Sequence, residues 1–307
     1  MDDTNITPNR RTVLRSVVAG STVAGLAGTV SATGATGNGR GGKGFPPDGI
    51  TEYGDAVSVG DGDVRPFTTE TPSGNPKYHG VEFDRDALEG LPTADDLRDA
   101  DNTAEADKYG SDGQALKVHF EWSLEYFVPF PDAEHTPFTF LGLNWNPEGH
   151  PGAGGAWRVP HFDIHFNMLD TGTIDAITGP QAPPYDDIPE ERIPEGYSRG
   201  PVVGERYITD MGEHTAPNDA PEIPGNPDAF TNTLIQGFVG VDGDPRLAFV
   251  EPMITREYLR EFDGREAFDV PQPETYPHDD RHPTAYSVRD VPADDTVAVV
   301  LEEFDDV

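Results

Sequence analysis

Histidine and the acidic residues are the oxygen and nitrogen donors that bind divalent ions, and one stretch of this sequence sets them at alternate positions. Pro160-His161-Phe162-Asp163-Ile164-His165-Phe166-Asn167-Met168 alternates polar and apolar residues without a break. In a strand this pattern places His161, Asp163, His165 and Asn167 on one face and Phe162, Ile164, Phe166 and Met168 on the other. Neutral imidazole and carboxylate suit Zn, Mn, Fe and similar ions. A helix would also bring the two histidines to one face, but the strict alternation and the leading proline favour a strand. Residues i and i+4 of a strand lie about 13 Å apart at about 3.3 Å per residue. His161 and His165 therefore cannot grip the same ion without a bulge, whereas either can share one with Asp163.

Other segments must complete any such ligand set. Met211-Gly212-Glu213-His214 follows a strand-like run, and Glu251-Pro252-Met253-Ile254-Thr255 closes another. Leu247, Phe249 and Glu251 share a strand face, so the carboxylate falls on an apolar side where an uncompensated charge is costly. A metal, a proton or an arginine must answer it, and Arg158 and Arg256 are the arginines to consider. His150 ends a turn, Asn144-Trp145-Asn146-Pro147-Glu148-Gly149-His150, and its imidazole titrates near neutrality. His119 and Glu121, two apart in a strand-like run, are weaker candidates. The expected metal or small-ligand set is thus His161, Asp163, His165, His214, Glu251 and His150; the competing expectation is a solvated strand face with no ligand.

Three further motifs carry less. Gly196-Tyr197-Ser198-Arg199-Gly200 matches the nucleophile elbow G-x-S-x-G, but Pro194 and Pro201 flank it where a buried strand and a helix are required. Gly37-Asn38-Gly39-Arg40-Gly41-Gly42-Lys43 fits a phosphate loop in letters only, because Gly44 stands where Ser or Thr is needed. Gly60-Asp61-Gly62-Asp63 and Asp242-Gly243-Asp244 are hairpin turns rather than calcium loops, since neither completes the EF-hand pattern.

The elements that position these residues are mostly strands. β-branched and aromatic runs at 116–128, 138–145, 161–169, 201–208, 233–239, 246–254 and 296–304 are separated by Gly, Pro, Asn and Asp. Helical signals are short, at 84–91, 93–98 and 255–262. The pattern predicts an all-β or β-rich α+β fold, a sandwich or barrel of short, mostly antiparallel strands with a few short helices. Residues 171–200 and 263–283 are long, Pro-rich and read as functional or surface loops.

With 21 basic and 56 acidic residues among 307, the chain has a formal net charge of −35. Only four lysines (Lys43, Lys77, Lys108, Lys117) are present, which excludes a nucleic-acid binder that neutralises phosphates. At 35% hydrophobic residues a core is still affordable. Asn9-Arg10-Arg11-Thr12-Val13-Leu14-Arg15, followed by a small-residue apolar stretch, reads as a twin-arginine export signal over residues 1–35. A Gly-rich linker over 36–52 and a single β-rich domain over 53–307 follow. The apolar stretch is shorter than the roughly 20 residues that span a bilayer, so no stable membrane insertion is expected. The chain has no cysteine, so neither a disulfide nor a lipid-attached cysteine can hold it.

The ordered blocks Gly74-Asn75-Pro76 with Gly80-Val81, Leu88-Glu89-Gly90-Leu91-Pro92, Asn146-Pro147-Glu148-Gly149-His150, Pro160 to Phe166, Gly212-Glu213-His214 and Glu251-Pro252-Met253-Ile254-Thr255 resemble a family of exported bacterial and archaeal proteins known as a domain of unknown function. The resemblance covers roughly Tyr53 to Phe304 and implies one extracytoplasmic domain, not an activity. The chain departs from that family at Thr215, where Trp is common, and in a longer Pro-rich insert around 180–194.

Together these readings give an extracellular or cell-surface protein with a possible divalent-metal or small-ligand site. Its expected partner is a small molecule or an extracellular polymer; if it is catalytic, the mechanism is metal-activated water with a carboxylate base. The alternative is a non-catalytic extracellular binding or surface-structural protein. Charge of this size points to a halophilic setting, because at molar salt the Debye length falls to about 3 Å and self-repulsion is screened. Dialysis from molar salt into dilute buffer should therefore abolish cooperative unfolding, followed by circular dichroism; a sharp transition retained in dilute buffer overturns the halophilic reading.

Overall fold

Two antiparallel sheets pack face to face, and the second of them is covered on its outer side as well. The computed structural model describes residues 44–100 and 107–307; the export signal and the phosphate-loop look-alike lie outside the described residues. In chain order the strands are β1 (Thr51–Tyr53), β2 (Val57–Val59), β3 (Gly62–Glu70), β4 (Pro76–Asp84), β5 (Gln114–Lys117), β6 (Trp122–Pro129), β7 (Phe140–Asn146), β8 (His161–Asn167), β9 (Tyr197–Arg199), β10 (Tyr207–Ile208), β11 (Gly212–Pro217), β12 (Asn232–Val241), β13 (Asp244–Thr255), β14 (Arg265–Asp269), β15 (Arg281–Val291) and β16 (Thr296–Asp306). The first sheet runs β1-β3-β4-β16-β15-β14, with β2 beside β3; the second runs β10-β11-β12-β13-β8-β7-β6-β5, with β9 also on β11. The chain is the β-rich sandwich that the alternation predicts.

Helices are short and capped where the sequence provides for it. They are α1 (Ala94–Ala100), α2 (Thr171–Asp175) and α3 (Arg256–Glu261). The Asp170 and Thr255 side chains accept from Thr173 N and Tyr258 N and so start α2 and α3. Three sequence expectations are corrected. The run 116–128 is two strands, because Phe120 takes a positive φ and turns the chain between β5 and β6. The run 201–208 is a 3-10 turn at Val203–Glu205 followed by only two residues of strand. Residues 84–91 form a single 3-10 turn rather than a helix. In addition, residues 44–52, the end of the Gly-rich stretch, lie against the first sheet: Phe45 packs edge-on to Phe67 and Tyr78, and β1 begins at Thr51.

The period-two pattern decides which residues meet between the sheets. Phe162, Ile164 and Phe166 of β8, Leu141, Leu143 and Trp145 of β7, and Val250 and Ile254 of β13 join Val81, Phe83, Val297, Val299 and Leu301 of the facing sheet in one core. Each such side chain contributes about 1.5–3 kcal/mol by leaving water. On the other face of the second sheet, Phe127, Phe140, Ile235, Phe249 and Met253 form a separate core with Val118, Ile174, Ile177, Tyr207, Ile208, Met211 and Phe230. The long segment after β8, which reads as a surface loop in the sequence, is therefore part of a roof. The polar residues at the centre of the roofed face, among them Asn144, Asp163 and Glu251, are inside the protein.

A buried imidazole far from that face offers a stability test. His79 of β4 is fully buried among Phe130, Phe138 and Phe304, with Thr136 Oγ1 3.0 Å from Nε2. Burial pushes its pKa down from the ordinary 6.5 to about 3. The unfolded chain therefore takes up a proton near pH 6.5 that the folded chain refuses, so this stability is present above that pH and is lost as pH falls toward 3. His79→Gln should reduce the pH slope of unfolding free energy below pH 6.5 by up to about 1.4 kcal/mol per pH unit, measured by urea titration. Parallel slopes in the two proteins exclude the effect.

Candidate metal centre

Every one of the six residues expected from the sequence lies on or beside the roofed face of the second sheet. β8 supplies His161, Asp163 and His165, all at most 2% exposed. β13 supplies Glu251, fully buried between Phe249 and Met253 on the roofed side. β11 supplies His214, whose side chain is 17% exposed, and the turn after β7 supplies buried His150. To these the structure adds His119 in the turn between β5 and β6, which sequence reasoning ranked low because that turn was read as mid-strand. Glu121, its companion there, points away and pairs with Arg158 at 3.3 Å.

The seven residues divide into two groups, as the strand spacing requires. In the first, Asp163 Oδ2 lies 3.5 Å from His150 Nε2 and 3.9 Å from His119 Nε2, and Asp163 Oδ1 lies 3.0 Å from His161 Nε2. In the second, Glu251 Oε2 lies 3.5 Å from both His165 Nε2 and His214 Nε2. The donor atoms of His119, His150 and Asp163 fall within 4.8 Å of one another, as do those of His165, His214 and Glu251. Donors on one ion with bonds of about 2.0–2.2 Å stand about 3.0–3.5 Å apart, so both groups need only small adjustments to hold an ion. The groups are neighbours, because the His119 and His214 rings are 5.4 Å apart.

Hydrogen positions sharpen this geometry. His150 Nδ1, His161 Nδ1 and His165 Nδ1 sit 3.3, 2.7 and 3.2 Å from the carbonyls of Pro151, Val159 and Gly142. A carbonyl only accepts, so each Nδ1 carries the hydrogen and donates it, and each Nε2 of a neutral ring presents a lone pair. Nε2 of His150 and His161 faces Asp163, and Nε2 of His165 faces Glu251; a proton on either partner would make such a contact a hydrogen bond. Nε2 of all five histidines, Asp163 Oδ1 and both Glu251 oxygens accordingly have no hydrogen-bond partner although they are buried. Buried acceptors that face one another are relieved by a cation between them, a proton or a metal ion, and backbone-anchored imidazoles are the usual support of a metal ligand. Asp163 is oriented by a second layer of this kind, with Asn146 Nδ2 donating to Oδ2 at 2.9 Å and Ser123 bonded to Asn146.

The titration behaviour agrees. Burial holds His119 well below its ordinary value, with the charges of His150 and His214 adding to the effect. It takes His165 down to about 4 and His214 to about 3, so these rings are neutral ligands at neutral pH. For Asp163 burial acts upward, but the positive charge that His161 and then His150 carry when protonated outweighs it and holds the carboxyl well below its ordinary range. Glu251 is pushed well above its ordinary range, by burial first and then by the charge of Asp163. Neither arginine considered for it serves: Arg158 pairs with Glu121, and Arg256 donates to Glu89 and to the Leu88 carbonyl.

A pocket of ≈ 280 Å³ opens onto both groups, with His119, His150 and His214 in its lining. Ser198 of the G-x-S-x-G match also lines it, on β9, with no helix following and no imidazole bonded to it. Fold and site together define a β-sandwich with paired imidazole–carboxylate clusters beneath a pocket. Comparison with protein-family models, curated proteins and solved structures finds no match to the chain.

Glycine sets one wall of the second group. Gly237 of β12 stands opposite both His214 and Phe249, and a Cβ there would lie 1.8 Å from the Phe249 ring. That ring packs edge-on against His165 and His214, at 4.8 and 5.2 Å. Gly237→Ala should therefore destabilise the fold by about 1–3 kcal/mol in a denaturant titration and displace both imidazoles. Unchanged stability shows that the ring has room to move.

Proposed function

We propose that the protein is an exported divalent-metal protein that binds a small molecule in the pocket above two adjacent metal centres. The observation that carries this reading is the pair of groups His119–His150–Asp163 and His165–His214–Glu251, in each of which the donor atoms lie within 4.8 Å of one another. The first centre gathers His119, His150 and Asp163, with His161 on the other carboxylate oxygen. The second gathers His165, His214 and Glu251, two imidazoles and one carboxylate, the donor set of ions that keep an open position for water or substrate. Mixed nitrogen and oxygen donors favour Zn, Mn or Fe over Ca or Mg.

A divalent ion bound there supplies Lewis acidity and makes a coordinated water more acidic. The chain's own residues do the rest. His165 and His161 are fixed by backbone carbonyls, Asp163 by Asn146, and the roof excludes bulk water, so the donors are preorganised before any ion arrives. Glu251 favours its neutral form when alone, so metal uptake at the second centre should release a proton. His214, the most exposed member of that centre, places it on the pocket side. The twin-arginine pattern and the acidic composition support export and a saline exterior.

The test is elemental analysis of chelator-stripped protein reloaded separately with Zn²⁺, Mn²⁺ and Fe²⁺, combined with thermal melting. Wild type should take up two ions per chain and melt higher when loaded, since free metal at 100 times its Kd adds about 2.7 kcal/mol. Asp163→Asn and Glu251→Gln should each lose one ion and keep the other. A single ion overturns the paired arrangement, and no uptake with melting unaffected by metal overturns the proposal.

A further inference from the structure

The free edge of the second sheet is interrupted at His214, and the interruption builds one wall of the pocket. On β11, Thr215 pairs with Arg199 of β9 and Glu213 pairs with Tyr207 of β10. Residues 200–206 thus span a gap opposite the single residue His214, and must arch away from the sheet. The two feet of the arch are tied together, because Arg206 Nε donates to the Gly200 carbonyl.

The two arginines at those feet are used differently. Arg199 is saturated: Nε and Nη2 donate to the two oxygens of Glu213, and Nη1 donates to Asp187. It therefore answers both nearby carboxylates. Arg206 approaches Glu213 only through Nε, at 3.8 Å, and its side chain is 18% exposed. Among the described residues nothing accepts a hydrogen bond from its Nη1 or Nη2, yet it lines the pocket. Glu205 beside it also lines the pocket but is exposed and makes no ion pair with the described residues. A guanidinium fixed at Nε, with its outer fork free, presents the geometry that takes a planar oxyanion by two parallel hydrogen bonds. The remaining wall is mostly apolar, with Trp157, Ile208, Ile235 and Met253.

We propose that the pocket takes a small organic carboxylate whose apolar body rests on Trp157 and the aliphatic wall while its carboxylate is gripped by Arg206. Several features select this class. A single free guanidinium matches one negative charge, the walls reject a fully hydrated ion, and a chain of net charge −35 disfavours polyanions. This inference rests on the pocket being a ligand site but not on metal being bound.

Calorimetric titration at fixed salt, with benzoate, its uncharged analogue benzamide and inorganic phosphate, tests it on metal-loaded and chelator-treated protein. Benzoate should bind wild type at least tenfold more tightly than Arg206→Gln, with Arg206→Lys in between because it keeps the charge and loses the fork. Benzamide should bind both proteins equally weakly, and phosphate more weakly than benzoate. Metal content and melting temperature should be unchanged in both variants, which separates loss of the anion contact from loss of fold. Absence of benzoate binding, equal affinity in wild type and Arg206→Gln, benzamide matching benzoate, or phosphate exceeding it overturns the assignment. Arg206-dependent benzoate binding by protein that takes up no metal keeps this inference and removes the metal reading; metal uptake without Arg206 dependence does the reverse.

Discussion

Two carboxylates, Asp163 and Glu251, lie buried beneath the roof of the second sheet and face the Nε2 atoms of five imidazoles. That confrontation governs the rest of the site. Backbone carbonyls on the far side of His150, His161 and His165 accept from their Nδ1 atoms, and the roof above the second sheet keeps these groups buried. A buried arginine would be the ordinary remedy, but those within reach in sequence are committed elsewhere. A cation between these groups, be it a proton or a metal, would stabilise this region.

Such a cation would also tie together distant parts of the chain. Ligands of the first group come from the β5–β6 turn, the segment after β7, and β8, and those of the second from β8, β11 and β13, so each ion would close a loop of several tens of residues. In a chain with no cysteine this is the available form of cross-link, and it acts across the sheet rather than along it. The sandwich core itself needs no such help, since it is built from apolar faces on both sheets.

Much of the site was legible because β8 keeps a strict period of two, which fixes the face of each residue and its distance from the next. The separation of His161 from His165 follows from strand rise alone, and the apolar neighbours Leu247 and Phe249 identify Glu251 as a buried acid. What the sequence did not disclose was the roof. Residues 171–230 carry little periodicity because they form short turns and strands of two to six residues, held by packing on a sheet that is distant in sequence. Whether the polar face of β8 met water or protein depended on that packing. His119 was undervalued for a related reason: a positive φ at Phe120 turns the chain there, and nothing in the residue type announces it. Resemblance to a family of exported proteins suggested a single domain, and what the site does had to be argued from its atoms.

The arch at residues 200–206 has an implication of another kind. Because both of its flanks hold their register on the same neighbouring strand, its length is free of the sheet: residues gained or lost there leave every ladder pairing in place. The imidazole–carboxylate floor is thereby uncoupled from the rim, so the shape of the opening can change while the donors beneath it stay fixed.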